Sequence, residues 1–475
     1  MYASTRSGPA MRGMYFSRAL LAGIARDGGL YVPAAYPSPL ATPAWRFMAY
    51  REMAFRMLRG FVRRDHSRTL RRVCRRVYGR RFCSTDGNGR ARDAIGAAWI
   101  VGGVYLGGLS WGPSLSFKDL AMQALGAAFE EAVLHYYHIV GATSGDTGGA
   151  ACRALEGSRK VGLLVLSPAG GVSAFQAEQM YGTIAGTVVH ACLRGGFDCC
   201  QDVVKALLGM RRRDVGTANS INLARLLLQS VYYLALREQL TAWPGERVCY
   251  HIPSGNFGNT FSYHIARLMG TPHVHATAAT NENNVLDCFI KAGVCIPRSP
   301  AGVKRTHAPS MDISWASNIE RLLYEVLGRC GSMTRLAMRA RCSDAAWALL
   351  RHASYRRLRL CAVSSDASLH VERSMLVELL YRRHGVAVDT HTAAALKSAM
   401  LAPRGDVQVA LETARDVKLK AELHGTHGHG FRHAVPRRAR HARLVHPASA
   451  HIRGLLRIPA VQRMRRVCPP WPPIA

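Results

Sequence analysis

Acidic residues are scarce in this chain of 475 amino acids: 30 Asp and Glu stand against 63 Lys and Arg, a formal charge of +33. Lysine is scarcer still, with only eight, so the basic excess is almost all arginine. Arginine, alanine and glycine are abundant together, as GC-rich coding produces. The charge therefore bears on association and permits anionic ligands without assigning a polyanion-binding role. The 13 cysteines include no C-x-x-C pair, and only Cys199 and Cys200 adjoin. That argues against the usual zinc spacings and a small disulfide framework, and points to reduced thiols in the cytoplasm. No uninterrupted apolar run approaches the roughly 18 residues of a membrane span. The longest candidate, 97–109, is broken by glycines. The opening residues lack a charged flank followed by an apolar core, so no secretory signal is expected.

What is present is a globular composition, 48% hydrophobic, in a chain long enough to bury a large core. Residues 1–92 read as a mostly helical unit. Helical spacing covers 16–24, a turn at Arg26-Asp27-Gly28-Gly29 runs into the extended Leu30-Tyr31-Val32-Pro33, and 68–81 is an arginine-rich amphipathic helix with a solvated face. Between 93 and 423, short apolar runs at 136–140, 161–166, 248–252 and 274–277 each lead into a glycine-rich turn or a helical stretch. This alternation predicts α/β architecture, mainly parallel sheet flanked by helices. In residues 424–475 there are ten arginines, seven histidines and a proline-rich end but no acidic residue. This segment reads as a weakly ordered tail.

Two turns have the placement of ligand loops at the C-terminal ends of parallel strands. One is Gly141-Ala142-Thr143-Ser144-Gly145-Asp146-Thr147-Gly148-Gly149. Its glycines permit close approach, its hydroxyls can donate, and the helix that follows presents free N–H groups to a carboxylate or phosphate. The other is Pro253-Ser254-Gly255-Asn256-Phe257-Gly258-Asn259-Thr260, which can form a nest of backbone N–H groups for a dianion. Neither matches the Walker A or dinucleotide fingerprint. Both are expected on one sheet. Lys118 stands in Trp111-Gly112-Pro113-Ser114-Leu115-Ser116-Phe117-Lys118-Asp119. Lysine is the side chain that forms an imine with an aldehyde, and burial lowers its pKa toward reactivity.

With these segments in hand, the chain resembles threonine synthases of the bacterial and fungal type, within the fold type II (tryptophan synthase β-like) pyridoxal-phosphate enzymes. The resemblance runs to about residue 423. It includes Ser4-Thr5-Arg6, Asn219-Ser220-Ile221-Asn222, Thr280-Asn281-Glu282-Asn283, Ser310-Met311-Asp312-Ile313 and Ser317-Asn318-Ile319-Glu320-Arg321. It implies pyridoxal 5′-phosphate as cofactor, Lys118 as its Schiff-base lysine, and Gly255, Asn256, Phe257, Gly258 and Asn259 as its phosphate cradle. It implies that Thr143, Ser144, Gly145, Asp146 and Thr147 grip the substrate carboxylate, and that Thr413 offers its hydroxyl to the pyridine nitrogen. It further implies that Asn219 and Arg225 bind the substrate phosphate, with a helix cap and a surface charge as their alternatives. The chain departs from the family pattern at Trp111, which replaces the histidine of H-G-P-T, and in Thr413-Ala414-Arg415-Asp416-Val417-Lys418-Leu419, which keeps the Thr, Ala and Lys of T-A-H-P-A-K-F but loses His-Pro and Phe.

The activity so implied is conversion of O-phosphohomoserine and water to threonine and phosphate by a cytoplasmic monomer or homodimer, with neither membrane nor nucleic acid as partner. Rival readings are a threonine or serine dehydratase of the same fold, and a non-catalytic scaffold that binds polyanions through the basic tail.

Overall fold

In the computed structural model, residues 1–7, 14–38, 43–79, 82, 95–183, 186–210, 214–241, 245–271, 274–293, 297–299, 302–340, 363–403 and 405–419 are described. The basic segment 424–475 lies outside them. The opening residues form β1 (Tyr2–Ser4), α1 (Phe16–Ala22), β2 (Tyr31–Pro33), α2 (Tyr50–Leu58) and α3 (Ser67–Val77), with β1 antiparallel to β2. In α3, Val73, Cys74 and Val77 are buried while Arg68, Arg71, Arg72, Arg75 and Arg76 face out, the solvated face its periodicity predicts. Three of these arginines pair with carboxylates: Arg71 with Glu52, Arg72 with Glu131 and Arg76 with Glu130.

The alternating region builds two sheets. The glycine-broken stretch becomes a hairpin, β3 (Gly96–Val101) against β4 (Val104–Gly108). Its two-residue turn is Gly102-Gly103, both at positive φ (64° and 81°), the conformation that a type I′ hairpin turn demands. Then follow α4 (Lys118–Ala132), β5 (Tyr137–Ala142), α5 (Asp146–Leu155), β6 (Val161–Pro168), α6 (Ala174–Tyr181), β7 (Val188–Leu193), α7 (Phe197–Gly209), β8 (Val215–Thr217) and α8 (Leu223–Leu240). Strands β7-β6-β5-β8 form a four-stranded parallel sheet. Next come β9 (Val248–Pro253), α9 (Gly258–Leu268), β10 (Val274–Thr280), α10 (Val285–Ala292), α11 (Ile319–Val326), α12 (Gly331–Ala340), β11 (Val363–Ala367), α13 (His370–His384), α14 (Thr390–Met400) and β12 (Val407–Glu412). The second sheet runs β11-β10-β9-β12-β4-β3 and is parallel apart from the edge strand β3.

The near-continuous apolar runs are now explained. Every residue of β5, β6 and β9 is buried, because helices cover both faces of a parallel sheet. One expectation is corrected: the two ligand loops do not share a sheet. The first follows β5 in the four-stranded sheet, and the second follows β9 in the six-stranded one. Apolar periodicity identifies strands but not their partners. The helices of the opening unit share one continuous core with α4, α8 and β9, through residues such as Tyr50, Phe55, Tyr78, Leu226 and Tyr250.

Three of the quoted sequence motifs meet at α11. Ser4 Oγ donates to Asp27 in the turn before β2 (2.8 Å), while Thr5 Oγ1 and Arg6 Nε donate to Glu320 (2.6 and 2.8 Å). Arg321 is fully buried. Its guanidinium donates to the carbonyls of Tyr31 (3.0 Å), Ser220 (3.3 Å) and Ile221 (2.6 Å), and to Asn318 Oδ1. One side chain thus ties β2, the segment before α8, and the start of α11.

Candidate active site

The two sheets point the C-terminal ends of β5, β8, β9 and β12 at one cavity, where parallel-sheet folds place ligands. Around it stand Lys118 at the start of α4, the loop into α5, Arg225 on the first turn of α8, and the loop into α9. Ser310, His391 and Thr413 complete the wall. Two features pin Lys118 to Thr413. Phe117 N donates to Thr413 O (2.9 Å), and Arg415 N to Leu115 O (3.0 Å), so the two segments run as a short antiparallel bridge. Leu115 holds φ 57° to allow this, and Phe257 in the second loop holds φ 59°. Left-handed backbone in residues of this size costs on the order of 1–3 kcal/mol and clusters at ligand sites.

Lys118 is buried, and its Nζ lies 3.0 Å from Asp146 Oδ2. Burial pushes its pKa down, opposed by the Asp146 charge and assisted by Arg225 and Lys418. Burial alone would raise Asp146, yet Lys118 and Lys418 hold it well below the usual carboxylate range. Lys418 reaches Asp146 Oδ1 at 3.0 Å, and Gln176 Nε2 donates to the same oxygen at 2.9 Å.

On the far side of the cavity, charge is left over. Arg225 is buried, and burial brings its pKa down to about 10. It donates to Ala218 O (3.3 Å), its Nε has no partner, and among the described residues no carboxylate pairs with it. Leaving a cation buried and unpaired is costly, by several kcal/mol, so the cavity calls for an anion. Asn256 Oδ1 and Asn259 Nδ2 are also buried without partners. The Tyr232 and Tyr233 hydroxyls both donate to Asn259 Oδ1 and so orient its amide. A side chain at Gly255 would collide with the Ser310 carbonyl, which keeps the loop flat. This backbone leads into the N-terminus of the 11-residue α9, where N–H groups are free for an anion. A desolvated amine beside an unbalanced guanidinium and unpaired amides fits a phosphate-bearing aldehyde such as pyridoxal phosphate.

Most of the expected site residues line this cavity: Lys118, Ser144, Asp146, Thr147, Asn219, Arg225, Gly255, Asn256, Phe257, Gly258, Asn259 and Thr413. Four have tasks other than the expected ones. Thr143 Oγ1 faces inward and accepts from Gly145 N (2.9 Å) and Gly148 N (2.8 Å), bracing the loop. Gly145, at φ 137°, leaves the space that Gln176 fills. The Asp146 carboxylate is committed to Lys118, Lys418 and Gln176, and like charge keeps it from gripping a carboxylate. Asn219 uses both amide groups on Ala142, accepting from its N (3.0 Å) and donating to its O (2.9 Å), so it fixes the end of β5. The helix cap of α8 is Asn222, and Arg225 is no surface charge.

Sequence patterning missed Gln176, Ser310, Asp389 and His391. His391 Nδ1 lies 2.7 Å from Asp389 Oδ2, and its Nε2 accepts from Ser310 N (3.1 Å), holding the 309–311 turn beside Gly255. Ser310 stood in the Ser310-Met311-Asp312-Ile313 motif without an assigned role, and Asp389 carried the signal of an N-cap ahead of α14. Two of the departures meet in space: the Arg415 guanidinium stacks over the Trp111 ring, 4.7 Å from its centroid. A cation–π pair thus stands where the resemblance implies two histidines.

Arg225→Met is expected to raise KM for a phosphorylated substrate by roughly 10–100-fold, the worth of a charge-assisted hydrogen bond. The cofactor-free chain should meanwhile melt at an equal or higher temperature, because the buried unpaired charge is gone. Steady-state kinetics and thermal melts of the same preparation check both halves.

A family model described as the threonine synthase N terminus matches residues 1–78. The threonine synthase of Methylobacillus glycogenes is 38% identical over 440 residues, covering 90% of this chain and 92% of the relative. That of Saccharomyces cerevisiae is 34% identical, covering 68% and 66%. Among solved structures, a threonine synthase from Brucella melitensis with bound pyridoxal phosphate superposes at TM-score 0.76 and 32% identity, covering 89% of this chain and 90% of that one. The yeast threonine synthase structure superposes at TM-score 0.78 and 27% identity over 92% of each chain. With these relatives, the two-sheet fold and the lysine-centred cavity, the chain belongs to the threonine synthase family.

Proposed function

We propose that the cavity holds pyridoxal phosphate on Lys118 and converts O-phospho-L-homoserine and water to L-threonine and phosphate. The observation that carries this is the pairing, in one buried space, of a desolvated amine at Lys118 with an unbalanced guanidinium at Arg225. When bound, the cofactor supplies a sink for the negative charge left at the substrate's α-carbon. Lys118 supplies the amine that holds the aldehyde and, once free, a base for the proton at Cα. Gly255, Asn256, Phe257, Gly258 and Asn259 would hold the cofactor phosphate, and Thr413 would offer its hydroxyl to the ring nitrogen. Ser144 and Thr147 offer hydroxyls to the substrate carboxylate from the loop that Thr143 braces. Arg225 neutralises the substrate phosphate, with Asn219 fixing the strand end beside it.

The experiment is a paired assay with purified protein and added cofactor. Phosphate and threonine should appear together from O-phosphohomoserine. Ammonia from serine or threonine with no phosphate release would instead make the protein a dehydratase; Arg225 argues against that if the Gly255 to Asn259 loop holds the cofactor phosphate, because a dehydratase's substrate carries no second phosphate for it to neutralise.

We place the protein in the cytoplasm, as a monomer or homodimer. The eight described cysteines are all free thiols, as a reducing compartment keeps them. Among the described residues no helix is long and apolar enough to cross a membrane. Light scattering on the eluting protein decides between the two oligomeric states.

A further inference from the structure

Two ammonium groups share one buried carboxylate in this site, and their surroundings differ. Lys418 Nζ has three acceptors: Asp146 Oδ1 (3.0 Å), the Ser114 carbonyl (2.7 Å) and Gln179 Oε1 (3.1 Å). These match the three N–H donors of an ammonium, and the Lys418 side chain is wholly buried. Lys118 Nζ lies on the opposite edge of the same carboxylate, with Asp146 Oδ2 at 3.0 Å as its hydrogen-bond acceptor. Its other neighbour is the Phe117 ring, 4.7 Å away. Two cations and one anion leave a formal excess of one charge in a dry site. The proton that is easiest to lose is therefore the one on Lys118.

We propose that Lys418 is a positioning residue for Lys118, sharing Asp146 from the far side and thereby setting the pH at which the Lys118 amine becomes neutral and able to take the cofactor. The inference rests on the cofactor reading above. Without Lys418, Lys118 would be the one ammonium on Asp146, and the carboxylate would hold the Lys118 proton more firmly. With it, the carboxylate stays anchored by Lys418 and Gln176 whether or not Lys118 is charged. The other charged groups facing the cluster act in the same direction or at one remove. Arg225 on α8 also disfavours a charged Lys118. His391 on α14 faces Asp146, and Ser310 Oγ approaches it at 3.5 Å. Asp119, next along α4, has its carboxyl pushed up to about 6 by burial and accepts from Ser114 N. In the attachment itself, the ammonium proton goes to solvent. The neutral Nζ lone pair would then bond to the aldehyde carbon, C=N would replace C=O, and the aldehyde oxygen would leave as water with the two hydrogens that Nζ gives up.

The test titrates cofactor attachment in the full chain, without substrate. Cofactor-free protein is mixed with pyridoxal phosphate across a pH series. The visible absorbance of the lysine-linked cofactor is read, and the adduct is fixed with borohydride and located at Lys118 by peptide mass. Lys418→Gln, which keeps a donor but loses the charge, should move the attachment midpoint to higher pH by about one to two units, the size of a near-contact charge effect. Asp146→Asn should move it to lower pH by a similar amount. The double variant removes both charges and should return toward wild type, and Lys418→Arg should stay with wild type. An unmoved midpoint in Lys418→Gln, or a double variant coincident with Asp146→Asn, overturns the proposal. If Lys418→Gln does not fold, the double variant decides, since it leaves neither charge of the 146–418 pair unopposed. A wild type that forms no Lys118 adduct at any pH would remove the cofactor reading itself, an outcome distinct from unshifted midpoints.

Discussion

Lys118→Ala is expected to lower turnover of O-phosphohomoserine by at least about a thousandfold, since on the proposed reading it removes both the amine that holds the cofactor and the base at the reacting carbon. The purified variant should also lack the visible absorbance of the lysine-linked cofactor. Its fold should survive: Asp146 keeps Lys418 and Gln176, and Phe117 N keeps Thr413 O, so the walls of the cavity are held without the lysine. A melting temperature close to wild type, measured without cofactor, would separate loss of chemistry from loss of structure. Retention of more than a few per cent of activity would show that another group does the work assigned to Lys118.

Arg321→Met should be the most destabilising single change, at roughly 3–5 kcal/mol. The guanidinium is fully buried and serves three backbone carbonyls, from Tyr31, Ser220 and Ile221, which methionine would leave unsatisfied. Those carbonyls lie in β2 and in the segment before α8, so the loss is not confined to α11. Urea unfolding should show an earlier transition, and binding of phosphorylated ligands should weaken along with it because Arg225 follows closely on Ile221. A shift of less than about 1 kcal/mol, which is typical of an exposed site, would contradict the keystone role.

The contrast between these two residues shows what the sequence could disclose. Lys118 was legible because its segment and the two glycine loops are local patterns: an apolar run, a turn, then a helix start. The Arg225 region was legible only by resemblance, and its burial without a carboxylate partner needed the packed structure. Arg321 sat inside a recognised motif but had no visible task, because its partners are about 100 and 290 residues away. Thr143 and Asp146 were assigned to the substrate because both stand in the right loop. Periodicity could not say that one hydroxyl turns inward, or that one carboxylate is taken by two lysines. The same limit put both ligand loops on one sheet when each ends a strand of a different sheet. Trp111 and Arg415 looked like two separate losses. Some 300 residues apart in the chain, they stack on each other.

The place of β12 has a consequence for how the protein is made. This strand, formed late in the chain, lies between β9 and β4, and its register partner in β4 precedes it by about 300 residues. At ribosomal rates of about 5–20 residues per second, β4 waits roughly 15–60 s for its neighbour. For about the second half of that interval, once β9 has been made, the six-stranded sheet has an open slot with unpaired strand edges on both sides, the kind of surface that other chains can join. Thr413 and Lys418 arrive just behind β12, so the nascent chain holds no finished cavity until that slot is filled. Cofactor bound at Lys118 should therefore report synthesis past Lys418 and closure of the sheet together, and pyridoxal phosphate would favour the closed form by mass action.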